Sequence, residues 1–583
     1  MPNVWNVGNT TVRNANRIEN ALRVFFEEGL SGNVLDNDGQ RRLHRILRDR
    51  EILEFDGDPS DWNGRKWRSA FYQLGFISYE TYRIGDDVLS VGDFFHQIGV
   101  ENVESPYQVT PAGHRLISAE SIPQIEDIYT RQFCCWELPS AIERGPYPDG
   151  RMKPFILFLQ VVRLLQVQGE LGLNKLETGL FIQPFRNHTA ELPGEIVARI
   201  LAFRAGLAAQ GTRQLERNFI RDTKEEVRQE IQGPAANTFV GDYSDTSFRY
   251  FLLTGLFVRR GNRLQVRASK IGFVDSLLAG EPQFQHEENP EDYFSQFYRN
   301  TYPLPSDDAV FAIEEMTHLM EDLPEENELR VAAEALTAES EPEEIERIRY
   351  DLIEHEARGR EITFAEQQST EDAVSEILQY LNVLDGRHIT DAPEVPDRPA
   401  YLEWAVWRAF LAIDSIVNPI HESRRFPVDA DFFPRNTAPG RGSDLIIEFE
   451  SLVLVVEVTL TLSSRQLAVE SEPVRRHTAD YKELYPEKDV YCLFVAPDVD
   501  NNVAESFRIG VWYRDNQEEF LNIVPMTLRD FITAFESMTE RAITIEEFRN
   551  LMDRCLVSRN VRAPQWKAQI TSEVDRWRDT RTA

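Results

Sequence analysis

Apolar residues along this chain follow two rhythms: a three- and four-residue spacing that marks helices, and short β-branched runs that mark strands. Residues 1–302 read as mixed helix and short strand, residues 303–396 as helix, and residues 397–583 as helix, hairpin, helix and strand. In the first region, Arg41–Arg50 forms a basic helical patch and Arg65–Phe76 a helix closed by Gly75. Tyr107–Val109 reads as a short strand, Thr110 as a helix N-cap and Pro111 as the first helical residue. A unit of the same kind follows from Phe248 to Lys270: helix, glycine stop at Gly255, strand, a turn at Gly261-Asn262, and strand.

Helix, strand pair and returning helix in that order resemble a winged helix, a module that sits in DNA grooves or serves protein contacts. The expectation is therefore two such subdomains, about 1–145 and 146–302. Residues 303–396 repeat Leu and Ile at helical spacing among many glutamates, which predicts an acidic helical linker. Pro393–Pro399 closes it, and a helix is expected from about Ala400 to Ile416, with Glu403 beside an apolar stripe. Glu403 alone also fits a helix-start charge favoured by the dipole.

The apolar runs Leu445–Phe449 and Leu452–Thr461 flank Glu450-Ser451 and predict a β-hairpin. A turn centred between 450 and 451 sets Asp444 opposite Glu457, roughly 4.5–5.5 Å apart at Cβ. Thr459 shares their face because side chains alternate along a strand. Two carboxylates that close repel unless a cation lies between them, and an all-oxygen site suits Mg²⁺. An edge hairpin with two solvated acids is the alternative, but Glu457 interrupts an apolar run, where an unpaired acid is expensive. A helix around Leu467–His477 and a buried strand, Val490–Ala496, complete an α/β core.

Length and composition refine this outline. A chain of 583 residues with 42% hydrophobic content can build several cores. It has no long apolar run and no signal-peptide pattern, so a soluble cytoplasmic protein without membrane contact is expected. Its four cysteines fit neither a zinc spacing nor a disulfide framework. The net charge of −34 argues against a nucleic-acid partner, but residues 303–396 alone carry −20. Between 249 and 270 there are six bases and no acids, a local reversal of sign that fits either a phosphate-facing surface or a solvated basic hairpin. Of 63 basic residues only eight are lysine. Acid excess with few lysines suits a high-salt interior, and a GC-rich genome favouring arginine codons would also account for the arginines.

Asp444, Glu457-Val458-Thr459 and an acid on the preceding helix resemble the PD-(D/E)XK nuclease core. With Phe248–Asp275, Glu470–His477 and Tyr491–Pro497 added, the chain is similar to the AlwI family of type IIS restriction endonucleases, weakly before 240 and well after 396. That resemblance implies a DNA-reading region over 1–302, a linker over 303–396, and a nuclease domain over 397–583 whose mixed sheet is flanked by helices. It implies binding to a short asymmetric duplex sequence, cleavage at a fixed distance, dependence on Mg²⁺ with Mn²⁺ as a substitute, and a cognate DNA methyltransferase in the same system. Glu403, Asp444, Glu457 and Glu470 match the family's acids, and Thr459 stands where the wider superfamily has lysine, which leaves the water-activating group open.

On this reading Asp444, Glu457 and the Val458 carbonyl hold the metal and Glu470 orients the water. Thr459 helps order it, and Arg476 and His477 fix the phosphate or pair with Glu470 or Glu472. Arg68, Arg249, Arg260, Asn262 and Arg263 are the candidate DNA contacts. One nuclease domain makes one cut, so cleavage of both strands calls for a transient dimer or a small nuclease partner subunit. The alternatives are a strand-specific nicking enzyme or subunit of a heterodimeric one, and a non-catalytic DNA-binding protein with a decayed nuclease fold.

Overall fold

The computed structural model describes residues 4–8, 12, 15–31, 37–50, 52–53, 64–78, 81–84, 87–99, 109–139, 150–231, 238–280, 282, 284, 289–321, 323–389, 392–413, 415–439, 442–462, 464–514, 517–539 and 541–582. The chain divides into two compact units, residues 1–50 with 57–356 and residues 51–56 with 357–583.

Helices dominate the first unit. Asn37–Asp49 and Gly64–Gln73 pack so closely that a Cβ on Gly64 would strike the Gln40 carbonyl. Gly75, at φ +73°, ends the second helix. A small hairpin follows, β1 (Thr81–Ile84) with β2 (Asp87–Ser90). Tyr107 and Gln108 of the expected strand lie outside the described residues, and Val109 bridges Ile77. Thr110 accepts the Gly113 N–H at 3.0 Å and caps the helix Pro111–Ile117, the role expected of it.

The later part of this unit runs through β3 (Leu173–Asn174), helix Lys175–Phe181, a pair of long helices at Leu192–Ala208 and Arg213–Ile231, helix Ser244–Phe251, β4 (Phe257–Arg260) and β5 (Arg263–Val266). Gly255 adopts φ +65° at the helix-to-strand corner, and β3, β5 and β4 form an antiparallel sheet in that order.

The segment 303–396 differs from a free-standing linker. The division between units falls at 356/357, inside the helix Pro342–Gln367. Its first half places Ile345, Ile348 and Leu352 in a small core with Ala312, Met316 and Leu336. Its second half turns Ala365 into the main core of the other unit. Many of the acids are structural: Arg349, 2% exposed, bonds Asp127 Oδ2 at 3.1 Å and Glu315 Oε2 at 2.6 Å, and Lys270 reaches Glu315 at 2.7 Å.

The second unit is built on one mixed sheet of β6 (Leu445–Glu448), β7 (Leu452–Val458), β8 (Asp489–Ala496) and β11 (Asn522–Thr527), with a separate hairpin of β9 (Val511–Arg514) and β10 (Gln517–Phe520). β6 and β7 are antiparallel, whereas β7, β8 and β11 run parallel, and strands buried on both faces read as continuous apolar runs. Helix Arg398–Leu411 crosses the core, with every residue from Ala400 to Leu411 buried and Trp404 and Trp407 among the largest. It stops short of the expected Ile416, and Ser415 has φ +79°. Helices Ser464–Leu484, Asn501–Ile509, Leu528–Glu536, Ile545–Val557 and Ala563–Thr582 surround the sheet. All four cysteines are buried and unbridged, and no helix among the described residues is long and apolar enough to cross a membrane.

Burial works against the Glu315 charge, but Lys270 and Arg349 outweigh it and pull the carboxyl down to about 2. Its stabilising contribution is therefore present at neutral pH and disappears as the pH falls from about 4 towards about 2. Replacing Arg349 with alanine strips a cation from two acids in this network and should cost about 3 kcal/mol. The check is an earlier urea unfolding transition at neutral pH that approaches the wild type as the pH falls towards about 2.

Candidate active site

The hairpin of β6 and β7 has the register that a turn between 450 and 451 imposes: Leu445 faces Val456, Ile446 faces Val455 and Ile447 faces Leu454. One step beyond Leu445 brings Asp444 level with Glu457. The backbone clamps Asp444 on both sides, because its carbonyl accepts the Arg425 N–H at 3.2 Å and its Oδ2 accepts the Val458 N–H at 2.8 Å. Trp407 steadies that neighbouring segment, its indole N–H donating to Ser423 Oγ at 2.8 Å while Ile446 N–H donates to the Ser423 carbonyl.

Glu457 is buried at the end of β7, and Asp444 keeps part of its surface open to solvent. Desolvation, then the charge of Glu457, then that of Glu470 push the Asp444 carboxyl well above its usual range, against the Val458 N–H and His477. The negative potential extends beneath the pair: burial first and Glu457 next push up the Cys492 thiol on β8. A carboxyl pushed up beside a second acid and an opening to solvent marks an electrostatically frustrated site, which a cation would relieve.

His477 comes from the helix Ser464–Leu484 and places Nδ1 2.7 Å from Glu457 Oε1. An ionised carboxylate only accepts, so the imidazole donates from Nδ1. This contact is with Glu457, not with the Glu470 or Glu472 partners considered from sequence. Arg476 takes the expected local alternative, its Nε 3.3 Å from Glu472 one helical turn away. Glu470 lies on the same helix, half-buried, close enough for its charge to act on Asp444. Thr459 Oγ1 accepts the Thr461 N–H at 3.0 Å, and its own N–H donates to the Val495 carbonyl.

Glu403 occupies a different place. It is well inside its helix and 6% exposed, so the helix-start reading fails, and its Oε2 accepts the Ala438 N–H at 2.7 Å. It is not among the leading charges acting on Asp444. No group of three or more His, Cys, Asp or Glu side chains poised for a metal occurs among the described residues. Two carboxylates with room for phosphate and water oxygens are nonetheless a donor set that Mg²⁺ accepts.

The candidate DNA contacts in the first unit are largely engaged within it. Arg263 Nη1 lies 2.9 Å from the buried Glu177 and 2.8 Å from the Gly172 carbonyl. Arg249 bonds Asp245 at 3.0 Å, and Lys270 is held by Glu315. Four of the six bases between 249 and 270 pair with acids, since Arg267 also lies 3.8 Å from Glu356. Most of that local reversal of sign is thus internal neutralisation. Arg260 and Asn262 are exposed at the hairpin tip, and Arg68 lies over the Tyr72 ring at 5.5 Å.

The family model described as AlwI restriction endonuclease matches residues 72–534. The chain belongs to the AlwI restriction endonuclease family. As a member of that family it is a restriction endonuclease, and its partner is DNA. Among solved structures it is similar to the small subunit of the heterodimeric restriction endonuclease R.BspD6I, at 20% identity and a TM-score of 0.27 over 34% of this chain and 97% of that one. It is also similar to the BpuJ1 endonuclease binding domain, solved with pyrene- and phenanthrene-modified DNA, at 10% identity and a TM-score of 0.30 over 51% of this chain and 95% of that one. No curated protein matches it.

A raised carboxyl pKa means that the folded state holds a proton which the unfolded chain releases at about pH 4. Metal-free protein therefore loses stability as pH rises from there to the raised value, at up to about 1.4 kcal/mol per pH unit, and the loss persists above it. Asp444→Asn keeps an acceptor for Val458 and removes the charge. In chelator its melting temperature should match the wild type near pH 4 and exceed it increasingly towards neutrality; a lower value at neutral pH would contradict the repulsion.

Proposed function

We propose that this restriction endonuclease cuts DNA in the manner of a type IIS enzyme, Mg²⁺-dependent and at a fixed distance from a short asymmetric sequence. The observation that carries the proposal is the mutually repelling pair of half-buried Asp444 and buried Glu457, level with each other across the β6–β7 ladder of a mixed sheet. The acids lie wholly within the second compact unit, which supports cleavage away from the bases that are read. In the first unit, β3–β5 with the helices Lys175–Phe181 and Ser244–Phe251 act as a winged-helix-like reader whose exposed tip carries Arg260 and Asn262.

Asp444, Glu457 and the Val458 carbonyl would hold the Mg²⁺, or Mn²⁺ in its place, and the bound ion would supply positive charge for the phosphate and a lowered pKa for water. His477 fixes the Glu457 carboxylate through its Oε1. Glu470, next to the pair and half-exposed, orients the water, a role that Thr459 does not take over from the lysine of the wider superfamily. Glu403 acts at one remove, holding the Ala438 loop. With one such pair among the described residues each chain makes one cut, so a double-strand break requires a second copy or a partner subunit.

Incubating mixed-sequence plasmid with the protein and Mg²⁺ should give discrete fragments, and chelation should abolish them. Asp444→Ala should reduce cutting at least about a hundredfold while sequence-specific binding persists. Loss of binding in that variant would sink the division of labour. Run-off sequencing of the ends reads one cut strand or two; nicks alone would assign the nicking alternative.

A further inference from the structure

The helix Arg213–Ile231 carries five bases and five acids, and it sorts them. Arg213, Arg217, Arg221, Lys224 and Arg228 advance by four, four, three and four residues, which at 3.6 residues per turn confines them to an arc of about 80°. Glu216, Asp222, Glu225, Glu226 and Glu230 all fall outside that arc. Packing lies outside the arc as well, on the side shared with Glu216 and Glu230: Phe219 stacks on Phe203 at 5.6 Å over Gly206, and Val227 is buried.

Opposite charges three or four residues apart help a helix, and like charges at that spacing destabilise it; Glu216 and Glu225 offer the first kind, yet each base of the stripe also has another base three or four residues away. The stripe is also accessible: Arg213, Arg217 and Arg221 are exposed, and Lys224 and Arg228 half-buried. Arg221 touches Asp222 at 2.9 Å and Arg228 touches Glu225 at 2.6 Å, both surface pairs of small net strength. Arg213, Arg217 and Lys224 contact no acid among the described residues.

From Arg213 to Arg228 the stripe extends about 22 Å, the axial length of about six base pairs at 3.4 Å each. At its far end Val227, Glu230 and Ile231 border a cleft of about 460 Å³ with Arg186, Asn187 and Arg199, and there Arg199 pairs with Glu230 at 3.2 Å. In a chain of net charge −34, an exposed row of cations along one helix face is complementary to a polyanion.

We propose that the helix Arg213–Ile231 is a phosphate-gripping ridge that lies along the DNA backbone and holds the duplex without reading its sequence. The inference rests on the reading of the chain as a DNA endonuclease. The ridge, rather than the ion-paired base of the β4–β5 hairpin, then supplies most of the salt-sensitive affinity.

The experiment is titration of full-length protein with a fluorescent mixed-sequence DNA duplex over a range of NaCl concentrations in chelator. The proteins are the wild type, Arg213→Gln/Arg217→Gln/Lys224→Gln and, as a control in the other unit, Arg576→Gln/Arg578→Gln, with helix content verified by circular dichroism. Losing three phosphate contacts should flatten the slope of log K against log salt by about 2.7. Affinity should fall at least tenfold at physiological salt, equally for unrelated sequences, while the control keeps the wild-type slope. An unchanged slope in the triple variant, or the same flattening in the control, overturns the ridge. A flattened slope together with no Mg²⁺-dependent cutting by wild type leaves the ridge standing and removes the endonuclease reading; wild type that binds no duplex removes both.

Discussion

Two carboxylates are forced together where neither water nor a cation from the protein fully compensates them, and much of the second unit serves to keep them there. Asp444 cannot swing away, because the Arg425 and Val458 N–H groups fix its carbonyl and its carboxylate from opposite sides. Glu457 cannot withdraw, because β7 is the buried interior strand between β6 and β8 and His477 holds its Oε1. Behind them Trp407 ties the Ser423 segment to a helix buried along nearly all its length. Such rigidity offsets a repulsion that would otherwise relax by local movement.

The first unit solves a different electrostatic problem. Its acids and arginines are not simply a solvated coat, for Glu177 is 1% exposed between Arg204 and Arg263, and Arg349 lies buried between Asp127 and Glu315. A buried charge is tolerable only with a partner at hydrogen-bond distance, and these partners join helices and strands far apart in sequence. The acidic stretch after residue 303 therefore contributes core and ion pairs to the unit, as well as carrying the chain onward.

What could be read from the sequence was local. The register of the 445–458 hairpin followed from where the β-branched runs stop, the cap at Thr110 from Thr-Pro before a helix, and the corner at Gly255 from a glycine between helix and strand. What could not be read involved partners distant along the chain. Arg263 looked like a phosphate contact until Glu177, 86 residues earlier, closed on it. Glu403 matched an acid pattern by position, yet its oxygen serves the Ala438 backbone, and His477 reached Glu457 across twenty residues rather than its helical neighbours.

The same contrast explains why a cluster of bases misleads while a period of bases informs. Counting charge between 249 and 270 ignores direction, and side chains along a hairpin and its flanking turns point to several neighbours, each able to supply an acid. A helix imposes direction. Bases returning every three or four residues in the 213–231 helix must share a face, and the acids between them must leave it, whatever the tertiary context. Local periodicity therefore survives folding as surface, whereas local composition is open to being consumed as structure.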